Sequence, residues 1–161
     1  MPQEKTNKTN KIAITISWLL VVICMGIIFY FSARPAVQSS EQSAFFVEFL
    51  KRLFGENEIF SFIVRKTAHF LEFAGLALLF NIALHFTYLK IKPHLAVIYT
   101  ALYALRDEIH QIFVDGRSCQ FVDWIIDAFG AVCGTIGFLV IFAVIAKILK
   151  NKQNKIDTKV V

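Results

Sequence analysis

Residues 12–31, IAITISWLLVVICMGIIFYF, decide what kind of protein this is. The run carries no charge, and its only serine or threonine residues are Thr15 and Ser17. At about 1.5 Å of rise per residue, a helix of this length matches a hydrocarbon core about 30 Å thick. Runs of similar character follow at 68–89, 94–114 and 122–149, the third behind Pro93, which suits the first turn of a helix because its missing N–H is not needed there. The pattern predicts an all-α integral membrane protein with four transmembrane helices at 12–33, 68–89, 94–114 and 122–149. A cleaved signal peptide is the alternative for the first run. Its apolar stretch exceeds a typical signal core, however, and Ser32-Ala33-Arg34-Pro35 is a poor cleavage site.

The whole-chain arithmetic agrees. Of 161 residues, 57% are apolar and 18% charged, where a soluble domain carries about a quarter charged residues. The formal charge is +5, and no nucleic-acid partner is expected of so apolar a chain. Cys24, Cys119 and Cys133 supply neither a disulfide framework nor a Cys-x-x-Cys pair. The first and last of these sit in apolar runs and read as small packing residues.

Orientation follows from Lys and Arg, which are enriched in short cytoplasmic loops. With four spans both termini share a side, and that side carries ten lysines: Lys5, Lys8, Lys11, Lys90, Lys92, Lys147, Lys150, Lys152, Lys155 and Lys159. The other side carries six basic residues: Arg34, Lys51, Arg52, Arg65, Lys66 and Arg117. The expectation is a multi-pass protein of the cell membrane with cytoplasmic tails at 1–11 and 150–161, the basic second tail contacting anionic lipid. Residues 34–67 form the one long connection, on the outer side. There Phe45, Phe46, Phe49, Leu50, Leu53 and Phe54 recur at helical spacing against Glu41, Glu48, Lys51 and Arg52, and Gly55-Glu56-Asn57 ends the run. This predicts an outer amphipathic helix, lying at the membrane interface or packed on the mouth of the bundle.

Acidic residues inside the spans carry the most information. Glu72, Asp107, Glu108, Asp123 and Asp127 would each cost roughly 2.5–3.5 kcal/mol facing lipid at a helix centre, so they are expected to face one another, basic partners or water. Counted from the outer ends of the predicted spans, Glu72, Asp127 and Asp107 lie about 6, 8 and 10 Å deep, a common level. Arg65, His69 and Glu72 share a helix face, as do Asp107, His110 and Gln111. The candidate polar pocket is therefore Arg65, Lys66, His69, Glu72, Arg106, Asp107, Glu108, His110, Gln111, Arg117, Asp123 and Asp127.

Two readings of that set stand side by side. One is an architectural network, for example Arg65 or Arg106 with Glu108 and Arg117 with Asp123. The other is a functional pocket in which Arg65, Lys66, Arg106 and Arg117 grip a phosphate or carboxylate, or in which His and carboxylates act as acid and base. No metal-ligand motif such as His-Glu-x-x-His is present, and neither a metal nor another cofactor is expected. His85 and His94 read as interfacial residues. Gly130, Gly134 and Gly137 make a small-residue seam suited to helix packing, and the oligomeric state stays open.

Residues 103–134 resemble the signature half of the VanZ-like membrane proteins. The resemblance rests on Glu108-Ile109-His110-Gln111, the loop Asp115-Gly116-Arg117-Ser118, then Asp123, Asp127, Gly130 and Gly134. Upstream, Arg65-Lys66-Thr67-Ala68-His69-Phe70 with Glu72 is similar to the basic opening of the preceding span, so the VanZ-like domain covers about 34–149. The family takes its name from a teicoplanin resistance determinant of Gram-positive bacteria, and most members have no assigned activity. The resemblance implies a cell-envelope protein, with membrane lipids and a lipid-linked cell-wall precursor or lipoglycopeptide as the expected partners. An intramembrane hydrolase or transferase acting on a lipid phosphate is one alternative, leaving enzymatic activity open, and a structural membrane subunit is another.

Overall fold

The computed structural model describes residues 2–55, 57 and 59–160, with side chains at 11–35, 44–55, 57 and 59–155. Glu56 and the side chains of Lys5, Lys8, Glu41 and Lys159 thus lie outside the described residues. The chain forms five helices: α1 (Pro2–Ser32), α2 (Ala36–Phe54), α3 (Ile59–Tyr88), α4 (Pro93–Gln111) and α5 (Phe121–Val160).

The helices run further than hydropathy suggests, because a helix already started continues through polar residues that favour it. The lysine-bearing segment 2–11 belongs to α1, and the basic segment 150–160 belongs to α5. Likewise α3 begins at Ile59 rather than at 68. Asn57 sets that start, its side-chain oxygen accepting the Ile59 N–H at 3.0 Å, as a capping residue does. The connection 34–67 therefore holds α2, a reversal at Gly55 with φ +86°, and the first turns of α3. Proline occupies the first turn of α4.

The segments Lys11–Ser32, Ile59–Tyr88 and Phe121–Lys155 are long and apolar enough to cross a membrane. α4, whose last turns hold Arg106, Asp107 and Glu108, is not among them. Exposed Leu19, Val22 and Ile23 on α1 and Val140, Val144 and Ile148 on α5 present apolar surface of the kind lipid covers.

The closest packing joins α3 and α5. A Cβ at Gly130 would collide with the Phe70 carbonyl, and one at Gly134 with the Ala74 carbonyl, so the two backbones touch there. Gly137 meets nothing within 4 Å and takes no part in the seam. Phe73, Leu76, Phe80 and Leu84 of α3 fill the core, joined by Val21 and Ile28 of α1 and by Ala96 and Ala104 of α4. One polar pair interrupts it: Asn81 donates to the Thr135 hydroxyl at 3.0 Å and to the Ala77 carbonyl at 2.9 Å. That pair gives a polar amide hydrogen-bonding partners inside the bundle.

Candidate functional site

The early turns of α3, the last turn of α4, the loop 112–120 and the first turn of α5 meet at one end of the bundle, around a polar cavity of about 150 Å³. Arg65, Lys66, His69, Gln111, Arg117 and Asp123 line it. Gly116, Ser118 and Gln120 complete the wall, and the sequence reading did not place them there. Gly116, at φ +73°, allows the turn in which the Arg117 N–H donates to the Val114 carbonyl at 3.1 Å. That turn aims Arg117 back at the bundle.

Arg117 closes two regions at once. Its Nε–H donates to the Arg34 carbonyl at 3.0 Å and its terminal nitrogen to the Phe31 carbonyl at 3.4 Å, so a cation caps the last carbonyls of α1 while also lining the cavity. Burial, and next the charge of Arg65, hold this guanidinium below its ordinary pKa. Two like charges thus share a small, half-enclosed space. Neither Arg65 nor Arg117 forms a salt bridge with a described carboxylate.

The ion pairs expected from sequence are replaced by others. Lys66, not Arg117, pairs with Asp123, and both side chains are largely shielded from solvent. Glu108 accepts the Gln120 N–H at 3.0 Å rather than pairing with Arg65 or Arg106, which pins the loop just before α5 begins. Arg106 is exposed and stacks 4.6 Å over the Phe29 ring, and the His110 ring lies 4.7 Å from the same phenylalanine. The reason is helical phase: Arg106 and His110 are one turn apart on α4, on a different face from Asp107, Glu108 and Gln111.

Beneath the cavity, Asp107 accepts from the Ser32 hydroxyl at 2.8 Å and from Gln111 at 3.1 Å, while Gln111 also donates to Ser32 at 3.0 Å. This triangle ties α1 to α4. Ser32 is a functional neighbour that the sequence reading placed only as an edge residue of the first span; its signal was a hydroxyl just ahead of Arg34 at the mouth of the bundle. His69 Nδ1 stands 3.9 Å from Glu72, too far for a hydrogen bond. Asp127 is 1% exposed, and Glu108, Asp107, Asp123 and Glu72 all lie within electrostatic range of it.

α3 starts nine residues ahead of the predicted span, so Glu72 lies about 20 Å along the helix from Ile59. The carboxylates are nevertheless neighbours. Buried polar atoms without a hydrogen-bond partner gather here: His69 Nδ1, His110 Nε2, Asp107 Oδ1 and Asp127 Oδ2, with His85 Nδ1 standing apart. Among the described residues, no three His, Cys, Asp or Glu side chains are arranged to hold a metal ion. The cavity wall itself is rich in donors, namely two guanidiniums, an ammonium, amides and a hydroxyl, which suits an anionic oxygen group.

No curated protein and no solved structure matches the chain. The VanZ/LLP1 family model matches residues 17–145, a span that takes in Ser32, the whole cavity wall and the glycine seam. This membrane protein belongs to the VanZ/LLP1 family.

Proposed function

We propose that the chain crosses the membrane four times and binds the anionic headgroup of a membrane amphiphile in the polar cavity, on the outer face of the cell membrane. The observation that carries the reading is the pair Arg65 and Arg117, two guanidiniums facing one cavity without a salt bridge to a described carboxylate. Both are half-buried, and although carboxylates lie within electrostatic range of Arg117, a phosphate or carboxylate in the cavity would accept from both guanidiniums directly. Lys66 adds charge while Asp123 fixes its position.

α4 supports the fourth crossing. Its 19 residues extend about 28 Å, and it returns from the end of α3 to the level of the cavity, where Glu108 meets Gln120. The lysine count supports cytoplasmic termini, which puts the cavity outside. α2, with exposed Phe45, Phe46 and Phe49, then lies at the outer interface. Ligands of the right chemistry there include a lipid-linked cell-wall precursor and the acylated tail region of a lipoglycopeptide such as teicoplanin, whose capture would lower susceptibility to the drug.

Cys119 provides the topology test, because it is an exposed thiol in the cavity loop. A membrane-impermeant maleimide applied to intact cells should label it, and labelling only after lysis would reverse the orientation. For binding, native mass spectrometry of the detergent-purified protein should show a retained anionic amphiphile that Arg65→Gln releases. Equal retention by the variant would refute the headgroup site.

A second reading rests on His69, which lines the cavity one turn from Glu72. In it His69 and Glu72 act as acid and base on a lipid phosphate. It predicts phosphate release that His69→Ala abolishes while the amphiphile still binds.

A further inference from the structure

α3 separates two cavities of opposite character. On one face Arg65, Lys66 and His69 line the polar cavity. On the other, Ile63, Val64, Thr67, Ala68 and Leu71 line an apolar groove of about 410 Å³, closed on its far side by Phe46, Phe49 and Leu50 of α2. The two sets interleave over residues 63–71, and a step of about 100° per residue sends them to opposite sides of the helix. Arg65 and Ala68, three residues apart, are neighbours across one boundary between the two sets, with Cβ atoms about 5–6 Å apart.

The groove is a built feature rather than a chance furrow. The Phe54 and Phe60 rings, with centroids 6.4 Å apart, join the end of α2 to the start of α3 across the reversal at Gly55. That short connection holds the two helices side by side. The opening lies in the size range of small-molecule sites, about 300–1,000 Å³, whereas the polar cavity has room for a headgroup and not for a chain.

We infer that the groove between α2 and α3 holds one hydrocarbon chain of the same anionic amphiphile whose headgroup the polar cavity binds, the molecule bending past Arg65 from one face of α3 to the other. The inference rests on the headgroup reading above and adds the class of ligand: a phosphate-headed amphiphile from the bilayer, with one chain engaged. At about 410 Å³ against about 150 Å³ for the polar cavity, the groove has the room for a hydrocarbon chain. Charge supplies the direction of binding, since the cationic side chains lie on the cavity side and the groove wall is apolar apart from Thr67.

The test uses the full chain in nanodiscs of zwitterionic lipid and two photoreactive probes of equal length, dodecyl phosphate and dodecanol, each with a diazirine at the chain end. The expected result is saturable labelling of Phe46, Leu50, Thr67 or Leu71 by the phosphate probe, about tenfold above that by the alcohol, and displaced by unlabelled dodecyl phosphate. Thr67→Trp, which fills the groove from an exposed helix position, should lower the ratio of groove labelling to butyl phosphate affinity by about tenfold. Equal labelling by phosphate and alcohol, spread over the lipid-facing residues of α1 and α5 as well, would show that the groove holds bulk lipid and would overturn the inference. Saturable butyl phosphate binding alongside that outcome would leave the headgroup reading intact; no butyl phosphate binding would remove both.

Discussion

The two ends of the α3–α5 contact are built on opposite rules. Toward the middle of the bundle, backbone meets backbone at Gly130 and Gly134, and the buried Asn81 amide finds both Thr135 and a carbonyl. At the cavity end the Lys66–Asp123 pair bridges α3 and α5, and His69 and Asp127, with Asp107 and His110 of the neighbouring α4, each keep a buried polar atom without a partner among the described residues. A bundle needs the first arrangement to persist in lipid, where association relies on close packing. The second arrangement leaves buried polar atoms without a partner among the described residues, capacity that water or a ligand takes up.

Substitutions should separate these regions. The largest effect is expected from Gly134→Leu, because the colliding atom is the Ala74 backbone carbonyl and cannot swing aside. A loss of about 4 kcal/mol in unfolding experiments in detergent is predicted, at the upper end of overpacking effects, while Gly137→Ala should change little. If the two glycines behave alike, the seam is misplaced. Next comes Lys66→Met, which strands a shielded Asp123 and should cost about 2 kcal/mol, with most of the loss recovered in Lys66→Met/Asp123→Leu. A double variant no more stable than the single one would show that the pair does not act as a pair.

Ser32→Ala removes two of the three bonds of the triangle, leaving only that from Gln111 to Asp107, and should cost about 1.5 kcal/mol, read as a fall in midpoint temperature. The smallest effect on stability belongs to Arg65→Gln, within about 0.5 kcal/mol, since Arg65 forms no salt bridge with a described residue. A large loss from this last variant would move the cavity end toward the architectural reading and weaken the contrast between the two regions.

The sequence made the helices and the neighbourhood of the site legible, and not its wiring. Apolar runs predicted four spans, of which three correspond to helices long and apolar enough to cross a membrane, and the cost of burying five carboxylates predicted that they meet. Helix limits were less legible, because hydropathy ignores the cap at Asn57 and the helix-compatible lysines that extend α1 and α5. Partners were hidden for a different reason. Which of Lys66 and Arg117 faces Asp123 depends on the turn at Gly116 and on the free carbonyls at the end of α1, neither of which a spacing rule registers. The same holds for Arg106 and His110, whose helical phase turned them onto Phe29. The groove needed α2 and α3 placed side by side before it existed at all.

The claim that Arg65 and Arg117 hold an anionic headgroup is tested most directly by titrating butyl phosphate into the protein in zwitterionic nanodiscs and following the phosphorus resonance. The wild type should show saturable binding that weakens as salt rises, and Arg65→Gln should bind about tenfold more weakly while unfolding at the same temperature. Unchanged affinity in a folded Arg65→Gln variant would contradict it.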